Sequence, residues 1–237
     1  MKSAMLHLKP FKFLTQDTSH LDHCLRIFEL IYMRNRQSAL EYLFKLHQNG
    51  FDIQSIYQNI ITPLLYEVGH LWEVNRFSVA EEHCFTANIQ FMMSHLYSII
   101  EPKSMNGYRM LATCVGDELH EVGLKMVSDI FEYQGWDVTY LGSNLPKNSF
   151  VSSVEEFQPH AICISITMDW HFSELKSWVL AAREVLKGPA KFIIGGLGCQ
   201  YRLNELDKLN VILSHGDMSK LAALVTDIED EFKHAKN

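Results

Sequence analysis

The sequence predicts an α/β chain in two parts, a helical bundle followed by a doubly wound five-stranded parallel sheet. Three observations carry this. Residues 18–101 space their apolar side chains at helical period and contain no strand-like run. Beyond a polar stretch at 102–108, short apolar runs alternate with helical stretches five times. The first such run, Met110–Val115, stops in a polar loop, and a helical pattern resumes near Gly123. Strands joined through helices are parallel, and right-handed crossovers wrap helices over both faces of the sheet.

Residues 1–17 show no clean period and contain Pro10, so they read as an N-terminal extension. A helix is expected from about Thr18, with Leu21, Leu25, Phe28, Leu30 and Ile31 on one stripe, and a second from about Gln37 to His47, closed by Asn49-Gly50. Asp52 can cap a third, which Pro63 should kink or restart by removing a backbone donor. Ser78-Val-Ala-Glu81 has capping-box spacing and places another helix start at about Val79. These helices make a bundle over 18–101, joined by a linker at 102–108 to a sheet domain over 109–237. Strands are expected at Arg109–Val115, Asp137–Leu141, Ala161–Ile166, Lys191–Ile194 and Asn210–Leu213. Helices are expected at Val122–Gln134, Lys147–Phe157, Phe172–Lys187, Leu203–Lys208 and after Met218, in a Rossmann-like domain with flavodoxin-type strand order.

Composition narrows the function classes. The 237 residues are 47% hydrophobic and 21% charged, which suits packed cores. A formal net charge of -7 disfavours direct nucleic-acid binding through a broad basic surface. The five cysteines are scattered, form no Cys-x-x-Cys pair, and read as reduced thiols. No signal layout and no apolar run of bilayer length occurs, so no membrane association and a cytoplasmic location are expected.

The chemistry concentrates in Glu118-x-His120-x-x-Gly123. A neutral imidazole can bind a metal, and a carboxylate two residues earlier can accept its other N–H. Gly123 lets a ligand approach the backbone. Alone the motif is short, and a loop histidine is more often a cap or a surface residue. The third strand, however, ends in Ser165-Ile-Thr167 and the fourth in Gly195-Gly196-Leu-Gly198. Each has a bland explanation, strand-end hydrogen bonding or a tight turn. Together they would line one slot at the carboxyl ends of adjacent strands, where doubly wound sheets bind ligands.

In these motifs the chain resembles the cobalamin-binding domain of methionine synthase, corrinoid methyl carriers and cobalamin-dependent light-responsive regulators. The resemblance implies that His120 is the lower axial ligand of a corrinoid cobalt, with Glu118 holding its tautomer. Ser165, Gly195 and Gly196, beside Thr167, would accommodate the displaced nucleotide tail. Where some carriers continue with a serine, this chain offers His171. Val68-Gly69-x-x-Trp72, followed by Ser78-Val79-Ala-Glu81-Glu82-His83, is similar to the helical cap of photoreceptor-type regulators of the MerR class. That similarity implies that Trp72, Glu82 and His83 face the upper side of a corrinoid held between cap and sheet domain. The family's second histidine after the tryptophan is here Glu73, so His70 or His83 would have to substitute, or the photochemistry differs. The resemblance covers about residues 52–234.

The expected function is therefore a cobalamin-binding sensor or transcription-linked regulator, not an enzyme, with adenosylcobalamin favoured over methylcobalamin. Related regulators usually carry a winged helix upstream, and residues 1–35 are too few for one. Output is expected through a protein partner or self-association. The enzymatic alternative is a corrinoid methyl carrier of a methyltransferase system. Cys84 beside His83 leaves a third reading, a sensor of another tetrapyrrole such as haem or a bilin, although a single cysteine is mostly inert packing.

Overall fold

The computed structural model describes residues 8–214 and 217–234 and divides into two compact units, 1–100 and 101–237. The helical unit contains α1 (Leu21–Tyr32), α2 (Arg36–Gln48), α3 (Ile53–Ile56), α4 (Thr62–Glu73) and α5 (Val79–Tyr97). The capping box at Ser78 is present: its hydroxyl accepts from Glu81 N–H, and the Glu81 carboxylate accepts from Ser78 N–H. Between α3 and α4 the chain makes a π-turn, Tyr57–Ile61, and Pro63 lies in the first turn of α4. Proline cannot donate to the carbonyl of Asn59, and the Cys24 thiol donates there instead, at 3.2 Å. The expected interruption thus takes the form of a restart with its loose carbonyl satisfied.

The described part of the segment before α1 packs on the helical unit. Leu8 and Leu14 are buried, and Phe11 packs on Phe28. Glu67, completely buried on α4, accepts the backbone N–H groups of Lys12, Phe13 and Leu14 at 2.9, 2.6 and 3.1 Å. Arg76 donates to the carbonyls of Leu8 and Pro10. A buried carboxylate needs donors, and this segment supplies them.

The second unit has β1 (Arg109–Cys114), β2 (Asp137–Gly142), β3 (Ala161–Ser165), β4 (Lys191–Gly195) and β5 (Ile212–Ser214), all parallel, in the order β2-β1-β3-β4-β5. This is the flavodoxin-type order. Its helices are α6 (Val122–Tyr133), α7 (Lys147–Phe157), α8 (Phe172–Val185), α9 (Leu203–Lys208) and α10 (Met218–His234). On one face Phe150 of α7 and Leu175 and Trp178 of α8 pack with Leu111, Ile162, Ile164, Phe192 and Ile194. The opposite crossover direction of β1 to β2 puts α6 on the other face, where α10 joins it. The polar stretch before β1 is tied to the second unit. Lys103 and Asn106 donate backbone N–H groups to Tyr133 and Gly135, and the Asn106 side chain donates to Glu229.

The crossovers from β1 and into β3 run in opposite directions, which opens a crevice beyond the carboxyl ends of those two strands. Register aligns Cys114, Ser165, Gly195 and Ser214 in one row across β1, β3, β4 and β5. The rim beside the crevice is therefore built of small residues. No described helix is long and apolar enough to cross a membrane.

All five cysteines are unpaired; Cys84 is exposed, and burial pushes the thiols of Cys24, Cys114, Cys163 and Cys199 up to about 12. A thiol reagent at pH 8 should modify one cysteine in the native protein and five after denaturation. Cys84→Ser should abolish the native reaction, which mass spectrometry checks.

Candidate functional site

The loop from Val115 to Glu121 is short and heavily tied. Gly116 turns it with φ of 55°, in the left-handed region that favours glycine, and a Cβ there would have to displace the end of the Glu174 side chain. The turn drops Glu118 inward, where it is 1% exposed. One carboxylate oxygen accepts His120 N–H at 3.0 Å and lies 2.5 Å from His120 Nδ1. The other accepts Thr167 N–H and Met168 N–H at 2.9 and 3.0 Å. Glu118 thus joins the loop after β1 to the loop after β3. Burial acts to raise its pKa, but the bonds from the His120 ring and from the three backbone N–H groups outweigh it. They hold the carboxyl well below the usual range.

A carboxylate accepts at Nδ1, so Nδ1 carries the hydrogen and Nε2 is the nitrogen suited to a metal. The His120 side chain is 55% exposed, in keeping with a ligand rather than a core residue. Gly123, in the first turn of α6, has open space where a Cβ would project. Ser165 sits at the rim of β3, and Thr167 contributes its N–H to Glu118. The two rim glycines differ. Gly196 has φ of 100°, and a Cβ there would meet the Ile166 carbonyl at 2.1 Å, so the fold itself demands that glycine. Gly195 has only ordinary contacts with Ser214, and its missing side chain leaves the rim low for another reason.

Trp72, Glu82 and His83 belong to the helical unit. Trp72 is 46% exposed near the end of α4 and is not a core residue. Glu82 and His83 occupy the first turn of α5. Glu82 accepts from Thr86, and the exposed His83 ring is paired with it. Glu73 pairs with His70 at 3.4 Å. Cys84 is exposed and accepts weakly from Asn88.

The fold gives His171, singled out in the sequence only as standing where some carriers have a serine, its partners. His171, buried behind Glu118, reaches Asp117 through Nε2 at 2.7 Å and lies 3.4 Å from the second Glu118 oxygen through Nδ1. The spacing of His171 from the motif gave no reason to place it there; the missing serine was the one signal.

Among the described residues no three histidine, cysteine or acidic side chains gather as an ion cage. A metal held through His120 must therefore bring its remaining ligands, as a metal inside a macrocycle does. Cradle and donor fit a corrinoid.

Two family models, both described as the B12 binding domain, match residues 108–215 and 25–97. The chain belongs to the B12-binding family, and its cofactor class is a corrinoid. It is 27% identical over 164 residues to the HTH-type transcriptional repressor CarA of Myxococcus xanthus, covering 68% of this chain and 54% of that protein. CarH of the same organism, also an HTH-type transcriptional repressor, is 23% identical over 162 residues, with 68% and 53% covered. The chain spans about half the length of these curated relatives. Among solved structures it is similar to the Methanosarcina barkeri monomethylamine corrinoid protein, with TM-score 0.74 and 13% identity, covering 89% of this chain and 100% of that one. At that identity the likeness shows the fold alone.

Replacing Glu118 with glutamine turns a donor toward donors and should destabilise the apoprotein by roughly 3 kcal/mol near pH 7. The folded pKa is depressed, so the native contribution is complete above the unfolded value of about 4.3 and is lost as pH falls below it. Urea midpoints of wild type and Glu118→Gln should therefore begin to converge below about pH 4 and draw closer as pH falls further toward the depressed folded value.

Proposed function

We propose that the protein is a cobalamin-dependent sensory regulator in which His120 Nε2 is the lower axial ligand of the cobalt. The observation that carries this is the buried Glu118 carboxylate, which accepts at His120 Nδ1 while anchored by both rim loops. An imidazole oriented in this way is a stronger and better-aimed donor than a free one. The open position at Gly123 and the small row Ser165–Gly195, beside Thr167 and Gly196, would give the nucleotide tail its groove. Trp72, with Glu82 and His83, is assigned to the upper-ligand side. Adenosylcobalamin is favoured because a large exposed indole can cover a bulky group. Loss of that group, by light or exchange, would shift the conformational balance, since a ligand biases only states that it binds differently. The regulatory reading is supported by the two relatives named as transcriptional repressors. Their HTH function is not transferred, and output through a protein partner or self-association remains the reading for this chain. The corrinoid-carrier reading shares His120 and the groove; it differs in needing an upper face open to substrate proteins.

Apoprotein loaded in darkness with adenosylcobalamin or methylcobalamin, then illuminated, separates these readings. A sensor should retain the adenosyl form and change spectrum and oligomeric state on illumination. Retention of methylcobalamin with no light response would favour the carrier, and uptake of haem or a bilin in place of either corrinoid would displace both.

His120→Ala should lose the spectrum of histidine-bound, base-off cobalamin; persistence of that spectrum would refute the ligand assignment. Trp72→Ala should weaken adenosylcobalamin about tenfold, or ~1.4 kcal/mol, and methylcobalamin less. Equal effects on both would remove Trp72 from the upper face.

A further inference from the structure

The segment ahead of α1 is fastened to α4 at two points, and Trp72 lies between them in the sequence. The carbonyls of Leu8 and Pro10 accept from the Arg76 guanidinium at 3.1 and 3.0 Å. Further along, the backbone N–H groups of Lys12, Phe13 and Leu14 converge on one oxygen of Glu67. Residues 8–14 therefore run as a strap along α4, from the turn that follows it back to Glu67. Apolar side chains seat the strap. Leu8 and Leu14 are buried, and Phe11 packs on Phe28, which also meets Phe77 and Phe85.

The Glu67 carboxylate is committed to this strap. It is 0% exposed, and its second oxygen is buried with no hydrogen-bond partner among the described residues. Buried acceptors are nearly always met, and here the strap's three N–H groups do it. Arg76 follows Asn75, whose φ of 57° ends α4. Its own N–H closes on the Leu71 carbonyl at 2.8 Å, and Asn75 N–H closes on that of Trp72 at 3.0 Å, a turn of the Schellman type. The guanidinium that grips the strap is thus carried by the turn that holds the Trp72 carbonyl. The Phe13 ring lies 5.5 Å from Tyr66 and 6.2 Å from His70. At 100° per residue, Trp72 projects roughly 120–160° around the helix from Tyr66, Glu67 and His70. The strap backs α4, and the indole leaves from the opposite side.

We infer that residues 8–14 clamp the last turns of α4, and that Glu67 and Arg76 are positioning residues for Trp72. Through it they set how well the protein distinguishes a large upper group from a small one. The inference rests on the reading of Trp72 as facing that group. An indole can select by size only if its helix does not yield to the ligand. Glu73, Val74 and Asn75 are exposed, so the end of α4 draws little hold from its own side chains and depends on the strap.

Arg76→Met keeps the apolar stem and removes the donors, whereas Arg76→Lys returns one. Titrated in darkness, Arg76→Met should weaken adenosylcobalamin about fivefold and methylcobalamin less than about twofold, within the usual range for a residue that does not touch the ligand. Arg76→Lys should recover most of the difference. In a Trp72→Ala background, Arg76→Met should leave the ratio of the two affinities unchanged, because residues acting as one unit are not additive. Amide exchange over residues 68–76 of the apoprotein, followed by mass spectrometry, should accelerate in Arg76→Met and in Glu67→Met. If Glu67→Met fails to fold, the Arg76 variants carry the test. Equal weakening of both cobalamins would overturn the inference, as would an Arg76→Met effect that persists in full without Trp72. Wild-type exchange in the Arg76→Met apoprotein would overturn it too. The exchange arm needs no cobalt, so it still decides whether the strap clamps α4 if Trp72→Ala removes the indole from the upper face.

Discussion

A single buried negative charge organises the loops at the carboxyl end of the second unit's sheet. Glu118 is 1% exposed, and an ionised carboxylate removed from water is tolerable only when its lone pairs are met by donors. The donors come from two separate loops and one side chain: His120 N–H and Nδ1, Thr167 N–H and Met168 N–H. Meeting that requirement fixes the backbone after β1 against the backbone after β3. It also selects which nitrogen of His120 carries hydrogen. Orientation of the imidazole and closure of the sheet's rim are therefore one constraint.

The groove beside it follows from register. Parallel pairing sets Cys114, Ser165, Gly195 and Ser214 side by side, and no large side chain rises from that row. Two glycines in the same region answer to the protein's own backbone instead, Gly116 to its left-handed turn and Gly196 to the Ile166 carbonyl. Gly195 and Gly123 lack any such steric demand. The sites where a side chain could have been accommodated, yet none is present, bear most directly on a ligand. The Gly-Gly pair read from the sequence as one feature is two, with separate physical causes.

Local signals were legible in the sequence, and long-range ones were not. The parallel sheet and α7 at Lys147–Phe157 follow from periodicity and crossover rules, and the start of α5 at Val79 from capping-box spacing. Strand ends moved by a residue or two; Val115, for instance, lies beyond β1 although its N–H still reaches the Ser165 carbonyl. The pairing of Glu118 with His120 could be anticipated because two residues separate them. His171 reaches Asp117 across 54 positions, and Glu67 holds Lys12 across 55. Neither contact has a periodic signature. The segment before α1 looks aperiodic because its order comes from Glu67 and Arg76, not from its own spacing.

The stapling of two loops by one carboxylate also bears on how a change at the imidazole would travel. An isolated loop histidine can swing between rotamers at little cost and transmit nothing. His120 cannot move its ring away from Glu118 without leaving an acceptor of a buried charge short of a donor. It cannot carry Glu118 along without breaking the bonds from Thr167 and Met168, which begin the connection to the turn Asp169–His171 and to α8. Displacement at position 120 is thereby coupled to the backbone after β3, an element that has no sequence contact with the motif. A binding site that must report its occupancy needs a coupling of this kind, since the bound and empty states must differ somewhere other than at the ligand itself.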